Sequence, residues 1–336
     1  MNAFEIFPEK TFGLGGVPFG NEFAYVTDEI AYATIDAAWE AGVRYFDTSP
    51  WYGLGLAERR LGSFLHKQKR SEYVLSSKVG KLLTAAHNND ATKYYPFTPS
   101  PNNLHYDYTG DGVKRSIEDS LQRLGVDALD IVFVHDLSPD NPWLPGTWEE
   151  QFEIARKGAF PALSKLRDEG VIKGWGLGVN SPEPILKLME MADANVCLLA
   201  RQYSLIDHAN ALHQIFPKAR ERGMGFVVGS SLNAGFISGS ARYDYGEENY
   251  KIPAEVIEKR VRLRAVADRY GVDLRTAALQ FSLAPDVAAA LIVGCANAGQ
   301  ALANYTSVQT KIPAAFWSDL RSEGLIESDA PIPSEK

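Results

Sequence analysis

Residues 44–53 read Arg44-Tyr-Phe-Asp-Thr-Ser-Pro-Trp-Tyr-Gly53. An apolar strand core, Tyr45 and Phe46, runs straight into Asp47, and a phenol, Tyr52, follows beside a glycine. Upstream, residues 30–42 carry apolar side chains at helical spacing and end in Gly42, the usual stop residue. Downstream, residues 55–65 are helical in pattern again. A carboxylate and a phenol therefore sit on the loop that leaves a buried strand, where catalytic groups concentrate. Taken alone, Asp47 also reads as a helix cap and Tyr52 as a loop aromatic.

Two further strand patterns end in ionisable side chains. Tyr73-Val-Leu-Ser-Ser-Lys-Val-Gly80 carries Lys78 near its exit, and Asp130-Ile-Val-Phe-Val-His-Asp136 places His135 at its end. A lysine inside a buried strand must find a partner or lose its charge. Asp47, Tyr52, Lys78 and His135, gathered at the carboxyl ends of neighbouring strands, make a small proton-transfer machine. Lys78 beside Tyr52 favours the phenolate over the ordinary phenol, whose pKa is about 10, and Asp47 holds Lys78 charged and in place.

The same alternation runs along all 336 residues. Strand patterns fall at 12–16, 44–47, 73–78, 130–135, 174–180, 197–202, 225–230 and 290–294. Helical patterns fall at 29–41, 56–66, 112–124, 160–169, 184–191, 217–222, 254–270 and 274–282. Most of the strands are continuous apolar runs, as expected of a parallel sheet covered on its outer face. One unbroken βα succession predicts a (β/α)8 TIM barrel, a single domain over 1–336, rather than a doubly wound sheet. Residues 1–8 and the tail after Glu327 read as surface appendages.

Three connections exceed the usual span of about two to six residues. They cover 81–111, 137–158 and 233–253, and all leave the carboxyl face, where barrel active sites lie. The first holds Tyr94, Tyr95, Phe97, Tyr106 and Tyr108, and the second Trp143, Trp148 and Phe152. The third holds Phe236, Tyr243, Tyr245 and Tyr250. Such loops are expected to shape a substrate pocket, although aromatics on long loops also pack among themselves.

Bulk composition narrows the function. Hydrophobic residues make up 45% and charged residues 23%, an ordinary globular balance with material for a large core. A net charge of -8 without a basic stripe argues against nucleic-acid binding. No apolar run approaches the ~20 residues of a membrane span, and the first ten residues lack the pattern of a signal peptide. Cys197 and Cys295 have neither metal-ligand nor disulfide spacing, so they read as buried free thiols of a reducing cytoplasm. Cys295, next to Gly294 at a strand exit, borders the position where a cofactor would lie.

Gly174-x-Gly-x-Gly178 lacks the third glycine and the later acidic residue of a dinucleotide fingerprint, and no zinc or phosphate-loop motif occurs. The remaining histidines show no metal-ligand spacing. His208 and His213 read as solvated, and His87 and His105 as candidate substrate contacts. Oligomeric state is not legible.

With Phe12-Gly-Leu-Gly-Gly16, residues 120–130, Gly174-Trp-Gly-Leu-Gly-Val-Asn180, Gln202-Tyr-Ser204 and the pair Gly235 and Gly239, these motifs resemble the aldo-keto reductase superfamily. The resemblance runs from Phe12 to Asn304. It implies an NAD(P)-dependent oxidoreductase whose catalytic tetrad is Asp47, Tyr52, Lys78 and His135. It also implies a nicotinamide cofactor extended across the barrel mouth, touching Gly16, Asp47, Asn180, Gln202, Ser230, Leu232, Gly294, Gln300 and Asn304. Asn180 and Gln202 correspond to the residues that hold the carboxamide, a task for side chains supplying both donor and acceptor. Gly294, Gln300 and Asn304 fall at the adenosine end.

Tyr52 then moves the proton, Lys78 tunes it, and His135 orients the reacting oxygen. Trp51 and Trp143 join Tyr52 and His135 as expected substrate contacts. Two departures stand out. Val179 precedes Asn180 where the family commonly has serine, and Gly229 aligns with an aromatic that often stacks on the nicotinamide.

Within the superfamily the chain looks most like the branch of pyridoxal 4-dehydrogenase, L-fucose dehydrogenase and aldose 1-dehydrogenases. That branch oxidises a cyclic hemiacetal to a lactone with NAD. NAD is expected over NADP, because residues 276–310 contain no Lys, Arg or His and Gln300 matches the usual arginine position. Arg242 and Lys251, on the third long connection, are the cations that could replace it. The alternative is an NADPH-dependent aldehyde or ketone reductase. A third reading, a non-catalytic barrel attached to membrane channels, is opposed by the intact tetrad.

Overall fold

The computed structural model describes residues 2–88, 91–98, 100–244 and 251–333. Its strands, in chain order, are β1 (Thr11–Gly15), β2 (Tyr45–Asp47), β3 (Val74–Val79), β4 (Lys81–Ala85) and β5 (Asn102–Tyr106). They continue with β6 (Ile131–His135), β7 (Gly174–Val179), β8 (Val196–Ala200), β9 (Gly225–Gly229) and β10 (Ala288–Gly294). All but β4 and β5 are parallel and close into a barrel in the order β1-β10-β9-β8-β7-β6-β3-β2, with β2 returning to β1. Helices cover its outside, each close to its expected position; this is the (β/α)8 barrel. The first of them, Asp28–Ala41, starts where the Thr27 hydroxyl accepts the Ile30 N–H and stops at Gly42.

Alternation along the strands sorts the core into two layers. Tyr45, Ile131, Phe133, Val196 and Val227 point into the barrel, while Phe46, Leu75, Val132 and Val134 face the helices. The amino-terminal end of the barrel is closed by residues expected to be an appendage. The short helix Ala3–Ile6 buries Ala3, Ile6 and Phe7 against the interior layer, with the Phe7 ring 4.8 Å from Tyr45. One helical turn is too short to show a period, so only packing revealed it. The tail is also docked: Ala330 is buried and its carbonyl accepts from Arg321 at 2.6 Å. Of these two segments, Met1 and 334–336 lie outside the described residues.

The long connections carry structure of their own. The first contains the antiparallel hairpin β4–β5, and the second the helix Trp148–Lys157, opened by a reciprocal Thr147–Glu150 cap. Two further helices, Ala298–Ser307 and Ala314–Ser322, lie beyond β10. The loop aromatics mainly pack together. Tyr94 and Tyr95 meet Trp51 at 5.3 and 5.1 Å, and Phe236 meets Tyr243 at 5.2 Å. Tyr245 and Tyr250 lie outside the described residues.

Candidate active site

Strands β2, β3 and β6 lie side by side, and each presents a polar group as its last inward residue. Asp47 registers with Ser76 of β3, Lys78 with Phe133 of β6, and His135 with Gly178 of β7. Lys78 Nζ donates to Asp47 Oδ2 at 2.7 Å and to the Thr48 carbonyl at 2.8 Å, with both charged side chains buried. Ser76 Oγ donates to the other oxygen, Asp47 Oδ1, at 2.6 Å. Burial pulls the Lys78 ammonium below its usual range, and the Asp47 charge opposes that pull.

Tyr52 reaches this cluster from the β2 loop. Gly53 and Gly20 back onto one another so closely that a Cβ on Gly53 would lie 2.5 Å from the Gly20 carbonyl oxygen. Gly53 also has φ +61, a conformation glycine adopts without strain. The turn is thereby pinned, and Lys78 Nζ stands 4.7 Å from the centre of the Tyr52 ring. His135 meets the same ring edge-on at 5.8 Å.

His135 is held from behind. Tyr108 donates to its carbonyl at 2.9 Å, over Gly80, where any Cβ would strike the Tyr108 ring. Its Nδ1 lies 3.0 Å from Ser49 Oγ, which also accepts the Trp51 N–H. Burial, followed by the charges of Lys81 and Lys78, holds the imidazole pKa well below its ordinary value, so the ring is neutral. With the Ser49 proton directed at Nδ1, the tautomer assigned from this network carries its proton on Nε2.

These groups border a cavity of about 700 Å³ at the carboxyl end of the barrel. Asp47, Trp51, Tyr52, Lys78 and His135 line one end, and Asn180, Ser230, Leu232, Gly294, Gln300 and Asn304 continue its wall. Three expected contacts lie elsewhere. Gly16 is replaced on the wall by its neighbours Gly15 and Val17, because its own position abuts the Asp47 carbonyl. Gln202 turns its amide onto the Asn180 carbonyl at 2.6 Å. Trp143 is 42% exposed and packs on Tyr94 instead.

Other expectations are corrected. The first two long connections contribute nothing to the described wall; the third supplies Ala234, Ser238 and Arg242, and the segment after β1 supplies Glu22 and Phe23. His105 is exposed on β5 and bonds Thr84, and His87 is exposed. His208 is buried, joining the Ser204 carbonyl at 2.9 Å and the Glu327 N–H at 3.0 Å. Cys295 is buried just behind the wall, its Sγ 3.4 Å from the Asn304 amide, and burial raises its thiol pKa to about 11.

Several wall residues escaped the sequence reading. Arg275 stands one position before the cation-free stretch and reaches the wall near Asn304. Glu22 had no signal, being one acid in a loop; its carboxyl is pushed up to about 7, by burial first and then by Asp136. Asp136 did have one, as an acid directly after His135 at a strand exit. Its Oδ2 lies 2.5 Å from the buried Lys81 ammonium. Asp136, Arg201 and Ser230, following β6, β8 and β9, have φ of 45, 68 and 61°; such backbone strain clusters at functional surfaces.

Residues 11–323 match the Aldo/keto reductase family. The chain belongs to that family. It is 37% identical to a pyridoxal 4-dehydrogenase of Microbacterium luteolum, over 94% of each chain. It is 33% identical to a D-threo-aldose 1-dehydrogenase of a Pseudomonas species, again over 94% of each. Among solved structures, an aldo-keto reductase of Bacillus halodurans shares the fold at a TM-score of 0.69, with 24% identity over 96% of this chain and 94% of the other. This aldo/keto reductase is thus an oxidoreductase of a family that works with nicotinamide cofactors on small molecules. Among the described residues, no helix is long and apolar enough to cross a membrane.

Proposed function

We propose that this aldo/keto reductase oxidises a cyclic hemiacetal, that of pyridoxal or of an aldose such as L-fucose, to its lactone with NAD. The observation that carries the reading is the convergence of Tyr52, Lys78, Asp47 and His135 at one end of an amide-lined cavity. The names of the two relatives, one for pyridoxal and one for an aldose, supply the substrate class. The residues fit an extended dinucleotide: the wall is closed by Gly15, Gly229 and Gly294, and a Cβ on Gly294 would crowd Pro18 at 3.1 Å.

When bound, the nicotinamide supplies the hydride acceptor. The chain's own residues manage the proton and the geometry. Tyr52 takes the proton of the hemiacetal hydroxyl as the carbonyl of the lactone forms, and returns it in the reverse direction. Lys78, facing the ring, stabilises negative charge on the phenol oxygen, while Asp47 keeps the ammonium buried and charged. The neutral His135 donates from Nε2 to the reacting oxygen. Asn180 is the wall amide placed to read a carboxamide, and Gln202 supports it through its carbonyl.

The preference for NAD rests on residues 276–310, which carry no Lys, Arg or His, and on Gln300 at the wall. Two arginines do reach the wall, and both are engaged: Arg275 by Asp273 at 2.8 Å and Asn304 at 3.1 Å, and Arg242 by the Phe23 ring at 3.5 Å. A 2′-phosphate would find no side-chain cation in that stretch. Its lost contacts would be worth about 1.5–3 kcal/mol each. We also place the protein in the cytoplasm, where its two thiols stay reduced.

The test is kcat/KM for pyridoxal, L-fucose, L-galactose and D-arabinose with each cofactor, the product being identified by mass spectrometry. Lactone formation with NAD is expected. Clear preference for NADPH-driven reduction of simple aldehydes would refute the reading and establish the reductase alternative.

A further inference from the structure

Beside the tetrad stands a second buried ion pair that proton transfer at Tyr52 does not use. Lys81, the first residue of β4, is only 2% exposed. Its ammonium lies 4.2 Å from the centre of the Trp51 ring and 2.5 Å from Asp136 Oδ2. Burying a lysine is costly unless it is paired. Here the partner is a carboxylate on the cavity wall rather than one sealed in the core.

Asp136 is fixed through its backbone and one carboxylate oxygen. Its backbone is left-handed at φ 45, its N–H donates to the Gly178 carbonyl at 2.9 Å, and its carbonyl accepts from Asn141 Nδ2 at 2.9 Å. Its Oδ2 is also 3.4 Å from His135 Nε2, the nitrogen assigned to the reacting oxygen. Neither the Lys81 nor the His135 contact uses Oδ1.

We propose that Asp136, anchored by Lys81, is a specificity-determining residue that accepts a hydrogen bond from a hydroxyl on the carbon next to the reacting one. The inference rests on the hemiacetal reading and narrows it to an aldose carrying its 2-hydroxyl. Vicinal ring oxygens are separated by about one hydrogen-bond length. A reacting oxygen at His135 Nε2 therefore brings its neighbour onto the carboxylate. The hydroxyl of a sugar is a neutral donor and suits an anion. The oxygen that pyridoxal would present there is the 3-hydroxyl of its pyridine ring, which ionises readily, and as an anion it would face the Asp136 carboxylate.

The experiment compares kcat/KM for an aldose and its 2-deoxy analogue on the wild-type enzyme, Asp136→Asn and Asp136→Ala. A hydrogen bond to a carboxylate predicts a wild-type preference for the parent sugar of about ten- to a hundredfold. The ratio should shrink in Asp136→Asn and approach one in Asp136→Ala. A purely structural role would lower both substrates alike and leave the ratio intact, which overturns the proposal. So would a wild-type ratio near one, read without any variant should Asp136→Ala fail to fold. Oxidation of pyridoxal but of no aldose would remove the role of Asp136 while leaving the hemiacetal reading standing. Oxidation of no hemiacetal with either cofactor would remove both.

Discussion

Strands β2, β3 and β6 change character between their two ends without changing face. Inward positions run Tyr45 then Asp47 on β2, Val74, Ser76 then Lys78 on β3, and Ile131, Phe133 then His135 on β6. The amino end of each is an apolar plug, capped by Phe7 and Ile6 and closed to solvent. The carboxyl end holds a buried ion pair, a neutral imidazole and strained backbone, all open to one cavity. The plug lets the other end be expensive. A lysine and an aspartate can stay buried because the strands carrying them are fixed by apolar packing two and four residues earlier.

That division is open to attack by mutation, and the largest effect belongs at the carboxyl end. Tyr52→Phe removes one hydroxyl, so kcat should fall by about 10²–10⁴ with cofactor affinity and thermal stability close to wild type. Steady-state kinetics with fluorescence titration of the cofactor checks this; retention of more than about a tenth of kcat would exclude Tyr52 as the proton carrier. Lys78→Met should inactivate as well, but at a further cost of about 3–5 kcal/mol in stability, because Asp47 is left buried without its partner.

At the other end the signature should invert. Phe7→Ala empties part of the plug and should lower unfolding free energy by about 3–5 kcal/mol. Activity per folded molecule should hardly move. Denaturant unfolding and kcat measured on the same preparations would show it, and a loss of kcat without a loss of stability would break the comparison.

Acid sensitivity separates the ends next. His208, on the loop leaving β8, has its pKa lowered from 6.5 to about 4, chiefly by burial. The fold favours its neutral ring, so the unfolded chain takes up the proton first. The stabilisation is therefore complete above pH 6.5 and is lost as pH falls through about 4. The full loss amounts to about 3 kcal/mol. His208→Gln should flatten that part of the curve of melting temperature against pH; an unchanged slope would place the sensitivity elsewhere.

The smallest contrast lies between two tryptophans. Trp51 is on the wall over Lys81, and Trp51→Ala should change kcat/KM by roughly tenfold, about 1.4 kcal/mol, and unequally among substrates. Trp143, packed on Tyr94 outside the wall, should shift it by no more than about twofold when changed to Ala. Comparable losses in both would mean that the second long connection closes over the substrate.

What could be read in advance follows from range. Strand and helix periods, and the ionisable residues at strand exits, are written within a few consecutive residues, so the barrel and the convergence of Asp47, Lys78 and His135 were legible. Asp136 was within reach of the same reasoning, adjacent to His135. Glu22, Lys81 and Arg275 were not, because each gains its place from partners remote in sequence. Lys81 and Asp136 are 55 positions apart, and the Asn304 contact of Arg275 spans 29. The plug at residues 3–7 was missed for the same reason: five residues carry no period, and their burial depends on strands remote in sequence.

The sequence by itself determined the succession of βα units, the inward alternation on each strand and the chemical kinds of side chain at the strand exits. These depend on backbone geometry and local polarity, which a short window already contains. Only the tertiary structure decided that Gln202 and Trp143 leave the wall, that Arg275 reaches it beside Asn304, and that Lys81 anchors Asp136 beside His135. All are contacts between segments remote in sequence, and for Lys81 the buried charge is settled by closure of the barrel rather than by its neighbours in the chain.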